Sequence, residues 1–307
     1  MQIIHDWTGI DATLRGASCA MGNFDGVHRG HQSVIDTARR FGPLGVITFE
    51  PHPRQFFAPD APPFRLMNAE ARANRLAHVG VERLYELPFD ARLAAMPAAE
   101  FARTVLADGL GVAHVTVGAD FRFGKGRDGD AQVLAELGRA LGFGVTIAPL
   151  MRERGAEVSS TAIRAALTEG RVQDAAQMLG HWHRIEGEVL HGAKRGRELG
   201  YPTANMAIAG LHPPRFGVYA VRAKVLTGPH QGEYDAVANL GLSPMFDGQV
   251  PLLETHLFDF AGDLYGQHLS VALIHYLRPE ARFDGLPALI AQMDDDSARA
   301  RAILSGI

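Results

Sequence analysis

Apolar and polar positions follow two different rhythms along this chain, and the change falls near residue 182. In the first half, short apolar runs bounded by glycine or proline alternate with segments whose apolar residues recur at helical spacing. Residues 17–21 and 44–49 read as buried strands, and between them Val34, Ile35, Ala38 and Phe41 line one face of a helix over 31–41. Helices are predicted at 70–79, 98–110 and 131–141, and strands at 81–87, 113–118 and 145–150. Strand, helix and strand repeated with short links predict a mostly parallel sheet covered by helices. Two further short helices are expected at 160–169 and 172–179.

Beyond residue 182 the segments 185–191, 217–226, 234–240, 251–258 and 267–277 read as extended, rich in Val, Tyr, Phe and Leu with Gly or Pro between them. Five such strands predict a compact, largely antiparallel barrel or sandwich. The tail 286–303 is helical, with Leu289, Ile290, Met293, Ala300 and Ile303 available for docking. The expected domains are therefore residues 1–182 and 183–307, with no internal duplication.

Composition narrows the function classes. Of 307 residues, 47% are hydrophobic and 21% charged, as in a folded globular protein. A net charge of −4 gives no general attraction to nucleic acid or an anionic membrane. Cys19 is the single cysteine, so no internal disulfide forms and a reducing, cytoplasmic setting is expected. The N-terminus lacks a signal-peptide pattern, and no apolar run approaches the roughly 20 residues a spanning helix needs.

Candidate chemistry gathers where predicted strands end. Gly22-Asn23-Phe24-Asp25-Gly26-Val27-His28-Arg29-Gly30-His31 follows a strand and opens a helix. Its glycines allow tight turning, and a helix start offers N–H groups to an anion. His28 and His31, three apart, share a helical face and can donate hydrogen bonds to a phosphoryl group. By themselves they also describe two surface imidazoles on a turn, or part of a metal site, although no third ligand is obvious nearby. His52, between Pro51 and Pro53, belongs to a stiff loop that either walls a nucleotide pocket or is only a loop. Residues 118–129 hold Asp120, Arg122, Lys125 and Arg127; they fail as a Walker A loop and match GxGxxG only formally. They read as a mobile basic loop or a solvated turn. Ser160 and Thr161 suit a helix N-cap without any ligand, and Arg164 either binds phosphate or pairs with Glu157.

In the second half, Gly192, Lys194, Gly196, Arg197 and Gly200 make a flexible cationic stretch ahead of Pro202-Thr203-Ala204-Asn205. In an extended segment Thr203 and Asn205 face the same way, so both oxygens can reach one hard cation such as Mg²⁺. A basic hairpin with a polar edge is the plainer account of the same residues.

Together these stretches resemble the bacterial bifunctional riboflavin kinase/FAD synthetase family. The first half is similar to its FMN adenylyltransferase module, one of the HxGH nucleotidyltransferases, through GNFDGVHRGH (22–31), TFEPHP (48–53), GADFRFGKGRDG (118–129) and SSTAIR (159–164). The second is similar to its kinase module through the glycine-rich stretch, PTAN (202–205) and the strand bearing Glu254. The resemblance implies an α/β parallel-sheet nucleotidyltransferase domain followed by a mostly antiparallel β-barrel kinase domain with a C-terminal helix. It implies that riboflavin is phosphorylated to FMN, and that adenylyl transfer from ATP to FMN yields FAD and pyrophosphate.

By the same resemblance, His28 and His31 sit at the α-phosphate of ATP, with Gly22, Asn23, Phe24 and Asp25 in the phosphate loop and Asp120 in the flavin/nucleotide cleft. Arg127, Ser160, Thr161 and Arg164 hold phosphates from the other side. Glu254 is the kinase base, Thr203 and Asn205 hold Mg²⁺, and Gly192, Lys194, Gly196, Arg197, Gly200, Pro202 and Arg278 bind nucleotide or flavin. Small-molecule substrates are implied, without nucleic acid, membrane or obligate protein partner. One departure stands out: Pro244-Met245-Phe246 replaces the usual Pro-Thr-Phe, so a thioether stands for a hydroxyl. A nucleotidyltransferase with another phosphorylated acceptor and a non-catalytic flavin or nucleotide sensor are the competing readings.

Overall fold

The computed structural model describes residues 1–153, 156–191, 200–242 and 250–307. It forms two compact units, Met1–Pro62 with Arg72–Ser159 and Pro63–Ala71 with Ser160–Ile307. The compact division falls at Ser159/Ser160 because the helices Ser160–Thr168 and Val172–Leu179 bury Ile163, Leu167, Val172 and Leu179 in the core of the second unit. Periodicity finds such helices, but it does not say which core receives their apolar faces.

The first unit is built on a six-stranded parallel sheet, ordered Gln2–Ile4, Arg83–Pro88, Leu44–Glu50, Ser18–Met21, His114–Gly118 and Gly144–Ala148. Ser18–Met21 is wholly buried and Leu44–Glu50 nearly so, as helices on both faces of a parallel sheet require. The edge strand Gln2–Ile4 was not expected; three mostly exposed residues carry no readable period. The predicted helix at 98–110 is one α-helical turn, Ala98–Phe101, running into a π-helix, Ala102–Leu110, which ends at Gly111 with φ 59°. Ala131–Leu141 matches its prediction. Asp130 caps it by accepting from Gln132 N and Val133 N, and Gly142 ends it in the left-handed region.

From Ser18–Met21 the chain lays down Leu44–Glu50 and then Arg83–Pro88 on one side. It then returns to place His114–Gly118 on the other. The order therefore reverses between Ser18–Met21 and His114–Gly118. In open parallel sheets, ligands collect at such a reversal, outside the carboxyl ends of the strands.

The second unit is a six-stranded antiparallel sheet: Arg184–Glu188, His268–Arg278, Gly217–Val225, Gly232–Leu242, Pro251–Leu257 and Ala204–Ala207. A bridge between Leu190 and Asn205, with Leu190 N donating to Asn205 O at 2.8 Å, joins the two ends into a nearly closed barrel. Five strands were expected. The sixth, Ala204–Ala207, has only four residues and follows a proline, so only its pairing with Pro251–Leu257 reveals it.

Alternation sorts the strand residues between two faces. Tyr219, Val221, Ala223, Ala238, Leu240, Leu253 and Met206 enter the inner core. Val218, Ala220, Ala272 and Ile274 pack outward against Ala300 and Leu304 of the C-terminal helix Leu286–Leu304. The segment Pro63–Ala71 belongs to this unit. Arg65 bridges Leu211, Leu66 joins the core, and Asn68 Nδ2 donates to Glu186 O at 2.9 Å. No helix among the described residues is long and apolar enough to cross a membrane.

Candidate active sites

In the first unit the loop after Ser18–Met21 is held in an uncommon conformation. Phe24 has φ 52° and Val27 φ 43°, and both side chains are buried. A β-branched residue in that region is a true outlier, stable only where surrounding contacts enforce it. Gln32 Nε2 donates to Val27 O at 2.8 Å, Val27 N to Phe24 O at 3.1 Å, and Thr48 Oγ1 to Asn23 O at 3.2 Å. Gly22 N donates to Ile47 O, Asn23 is exposed and Asp25 is buried.

The loop delivers His28 as the N-cap of the helix Arg29–Ala38, its Nδ1 accepting from His31 N at 3.3 Å. The two imidazoles stack with centroids 3.6 Å apart and an interplanar angle of 16°. Gly30 leaves room for the His28 ring, since a Cβ there would lie 3.1 Å from it and crowd it. His31 Nδ1 is buried without a hydrogen-bond partner. Burial, and then the neighbouring His28, holds its pKa well below the ordinary 6.5. His28 Nδ1 is an acceptor, so in the neutral ring its proton lies on Nε2.

Asp120 is exposed in the turn that ends His114–Gly118, the strand beside Ser18–Met21; a Cβ on Gly118 would lie 2.9 Å from its Oδ1. The loop expected to be mobile is tied at its base. Lys125 N donates to Met96 O at 2.8 Å, Asp128 accepts from Ala98 N at 3.2 Å, and Arg122–Phe123 pairs with Gly129–Asp130. Lys125 and Arg127 are exposed without an ion pair among the described residues.

His52 proves to be a local cap: its Nδ1 accepts from Arg54 N at 3.0 Å and starts the short helix Pro53–Phe57. That helix carries an aromatic group which the sequence reading missed. Phe56, Phe57 and Phe89 make mutual edge-on contacts with centroids 5.2–5.7 Å apart, and Phe57 is 67% exposed. They follow the carboxyl ends of Leu44–Glu50 and Arg83–Pro88. Cys19 is fully buried and its thiol pKa is pushed up by that burial, in keeping with a packing role.

Ser160, Thr161 and Arg164 lie in the second unit, on the helix Ser160–Thr168. Arg164 Nη1 donates to Phe64 O and Nη2 to Thr161 Oγ1, both at 3.3 Å. The side chain of Glu157, its other expected partner, lies outside the described residues, as do Gly192, Lys194, Gly196, Arg197 and Met245.

On the barrel, register assembles what the sequence only spaced. Asn205 pairs with Glu254 across one strand boundary, and Glu254 with Asn239 across the next. Directly opposed residues in antiparallel strands point to the same side, and here the flanking Ala204, Met206, Leu253, Ala238 and Leu240 take the inner face. Asn205, Glu254 and Asn239 therefore form an outer-face row over three strands, with Thr203 two residues before Asn205. Asn205 Oδ1 is buried without a hydrogen-bond partner. An orphaned amide oxygen at this place is what a hard cation takes as a ligand.

The Glu254 pKa is raised by burial, and secondarily by the charge of Glu280. Glu280 reaches the row because Gly241 has no side chain; a Cβ there would collide with Glu280 Oε1. Gly200 (φ 82°) and Pro202 are exposed, and His256 Nδ1 donates to Pro202 O at 2.9 Å. Arg278 is anchored to the C-terminal helix. Its Nε and Nη2 donate to buried Asp296 of the C-terminal helix at 3.0 and 2.7 Å, and Nη1 to Pro279 O at 2.9 Å.

A parallel sheet with a histidine loop at its reversal point, joined in one chain to a barrel bearing a carboxylate between two amides, is the architecture of a two-domain, nucleotide-using transferase. Family models agree: one described as FAD synthetase matches residues 10–162, and one described as riboflavin kinase matches residues 179–304. A bifunctional riboflavin kinase/FMN adenylyltransferase from Pseudomonas fluorescens is 41% identical, with 99% of this chain and 98% of that protein aligned. The protein of the same description from Escherichia coli K12 is 40% identical, over 94% and 93%. A crystal structure from Streptococcus pneumoniae described as a macrolide-efflux protein superposes with a TM-score of 0.82 at 30% identity, covering 98% of both chains. The chain belongs to the bifunctional riboflavin kinase/FMN adenylyltransferase family. It is an enzyme with an FAD synthetase domain and a riboflavin kinase domain, which selects this reading over a nucleotidyltransferase for another acceptor.

Proposed function

We propose that the two reactions are carried out by the two residue groups just described, riboflavin being phosphorylated at the barrel and FMN adenylylated at the parallel sheet. At the sheet, an FMN phosphate oxygen attacks the α-phosphorus of ATP and the bond to the β-phosphate oxygen breaks, releasing pyrophosphate. Neutral His28 and His31 donate N–H bonds as charge builds on the transferring phosphoryl group, and no covalent intermediate is needed. Gly22, Asn23, Phe24 and Asp25 shape the phosphate loop, and Asp120, Arg127, Ser160, Thr161 and Arg164 hold the remaining nucleotide and flavin groups. The exposed Phe57 and its neighbours suit the flat flavin ring.

At the barrel, Glu254 accepts the proton of the riboflavin 5′-hydroxyl as that oxygen attacks the γ-phosphorus of ATP, whose bond to the bridging oxygen breaks and releases ADP. Thr203 and Asn205 would hold Mg²⁺, which when bound would offset charge between nucleotide and nucleophile. Gly192, Lys194, Gly196, Arg197, Gly200, Pro202 and Arg278 bind nucleotide or flavin. The observation that carries this assignment is the unpartnered Asn205 Oδ1 beside a half-buried carboxylate. The functional domains are 1–182 and 183–307, working in the cytoplasm on small molecules, without nucleic acid or an obligate protein partner.

The test is to incubate the purified protein with riboflavin, ATP and Mg²⁺ and to separate the flavins. FMN should appear first and FAD after it, and chelating the metal should stop both. A folded preparation that leaves riboflavin and FMN unchanged would sink the assignment.

A further inference from the structure

We infer that Asn239 positions the acceptor in the kinase reaction by hydrogen-bonding the polyol chain of the flavin, an inference that rests on Glu254 being the kinase base. Asn239 pairs with Glu254 on the side opposite Asn205, so the carboxylate stands between two amides on one outer face. The two amides are not equivalent. Asn205 has a buried, unpartnered oxygen, and Thr203 directly precedes its strand Ala204–Ala207, which makes this the side of the row for a cation. Asn239 has no such neighbour; it is half-buried on the strand Gly232–Leu242, and its side chain makes no hydrogen bond among the described residues.

In-line transfer requires the phosphoryl donor on one side of the attacking oxygen and the carbon chain of the alcohol away from it. With metal and phosphate on the Asn205 side, that carbon chain runs over Asn239. A primary amide offers both a donor and an acceptor, which matches the secondary hydroxyls of a polyol. Two residues further along the same face, the space above Gly241 is taken by the Glu280 carboxylate, which bounds the stretch of surface beside Asn239.

The inference is tested by comparing riboflavin with a flavin bearing an ω-hydroxypentyl chain, which keeps the reacting hydroxyl and lacks the secondary ones. Asn239→Ala should lower kcat/KM for riboflavin about tenfold, the worth of one hydrogen bond. It should leave the KM for ATP and FAD synthesis from supplied FMN unchanged. With the hydroxypentyl flavin the penalty should vanish. An equal penalty on both flavins, or none on either, overturns the inference. If Asn239→Ala fails to fold, Asn239→Ser carries the same comparison. Glu254→Gln separates the two claims: kinase activity surviving that change would refute the base assignment itself, whatever Asn239→Ala does.

Discussion

The rings of His28 and His31 lie face to face with centroids 3.6 Å apart, the first ring accepting the backbone N–H of the second at 3.3 Å. Two imidazolium ions at that distance would repel strongly, and burial already holds His31 neutral. His31 should therefore stay unprotonated in an NMR titration through the range around pH 6.5 in which an ordinary histidine gains its proton. Observed protonation near 6.5 would mean that the stacked, buried geometry does not persist in solution.

The two sites should be separable. Glu254→Gln should reduce FMN formation about 10²–10⁴-fold, the usual contribution of a general base, and leave FAD synthesis from supplied FMN intact. His28→Ala combined with His31→Ala should do the reverse. Loss of both activities in either folded variant would contradict two independent sites.

Glu280 should set where the kinase loses activity in acid. Burial and then the Glu280 charge raise the Glu254 pKa, so the base is protonated at a higher pH than an ordinary carboxylate. Removing the like charge with Glu280→Gln lowers that pKa. The acid limb of riboflavin phosphorylation should then move to lower pH, while the adenylyltransferase profile stays put. A limb that stays in place would remove Glu280 as a cause.

His183 should make the second unit sensitive to acid. Burial, with smaller effects from His181 and His212, pushes its pKa down to about 3 from 6.5. The unfolded chain therefore binds the proton first, below pH 6.5. The stability from keeping the ring neutral is complete above that value and is lost as pH falls toward 3. At the low end the loss is on the order of 4 kcal/mol. Urea midpoints measured against pH should show this slope, and His183→Leu should flatten it.

Arg72 should be essential to the first unit's stability. Its guanidinium is 1% exposed and contacts Glu50 at 2.8 Å and Glu86 at 2.6 Å. Arg72→Met leaves two carboxylates facing each other and should cost about 3–5 kcal/mol in urea unfolding. Adding Glu50→Gln and Glu86→Gln should recover much of the loss. Glu50 directly precedes Pro51-His52, so the single variant should also weaken FAD synthesis.

Much of this was legible because local chemistry is written in short stretches. The alternation of strand and helix to residue 179, the strand-rich remainder and the terminal helix all follow from periodicity. The histidine loop and the Pro-Thr-Ala-Asn segment are contiguous motifs whose glycines, proline and polar side chains act on their immediate neighbours. What escaped was short or long-range. Gln2–Ile4 and Ala204–Ala207 are too brief for a period. Phe57 and Phe89 meet only because two parallel strands end side by side. The bond from Arg278 to a carboxylate eighteen positions away is a tertiary contact that no local pattern shows.

The sequence by itself determined the two architectures and supplied the motifs, the histidine loop and Pro202-Thr203-Ala204-Asn205, on which the proposed chemistry rests. Only the tertiary structure decided that Asn205, Glu254 and Asn239 stand in one row, that Glu280 reaches it, and that the helices Ser160–Thr168 and Val172–Leu179 pack with the barrel. Spacing along the chain governs which residues share a face within an element. Which elements meet, and in what register, is set by burial of apolar faces contributed from distant parts of the chain.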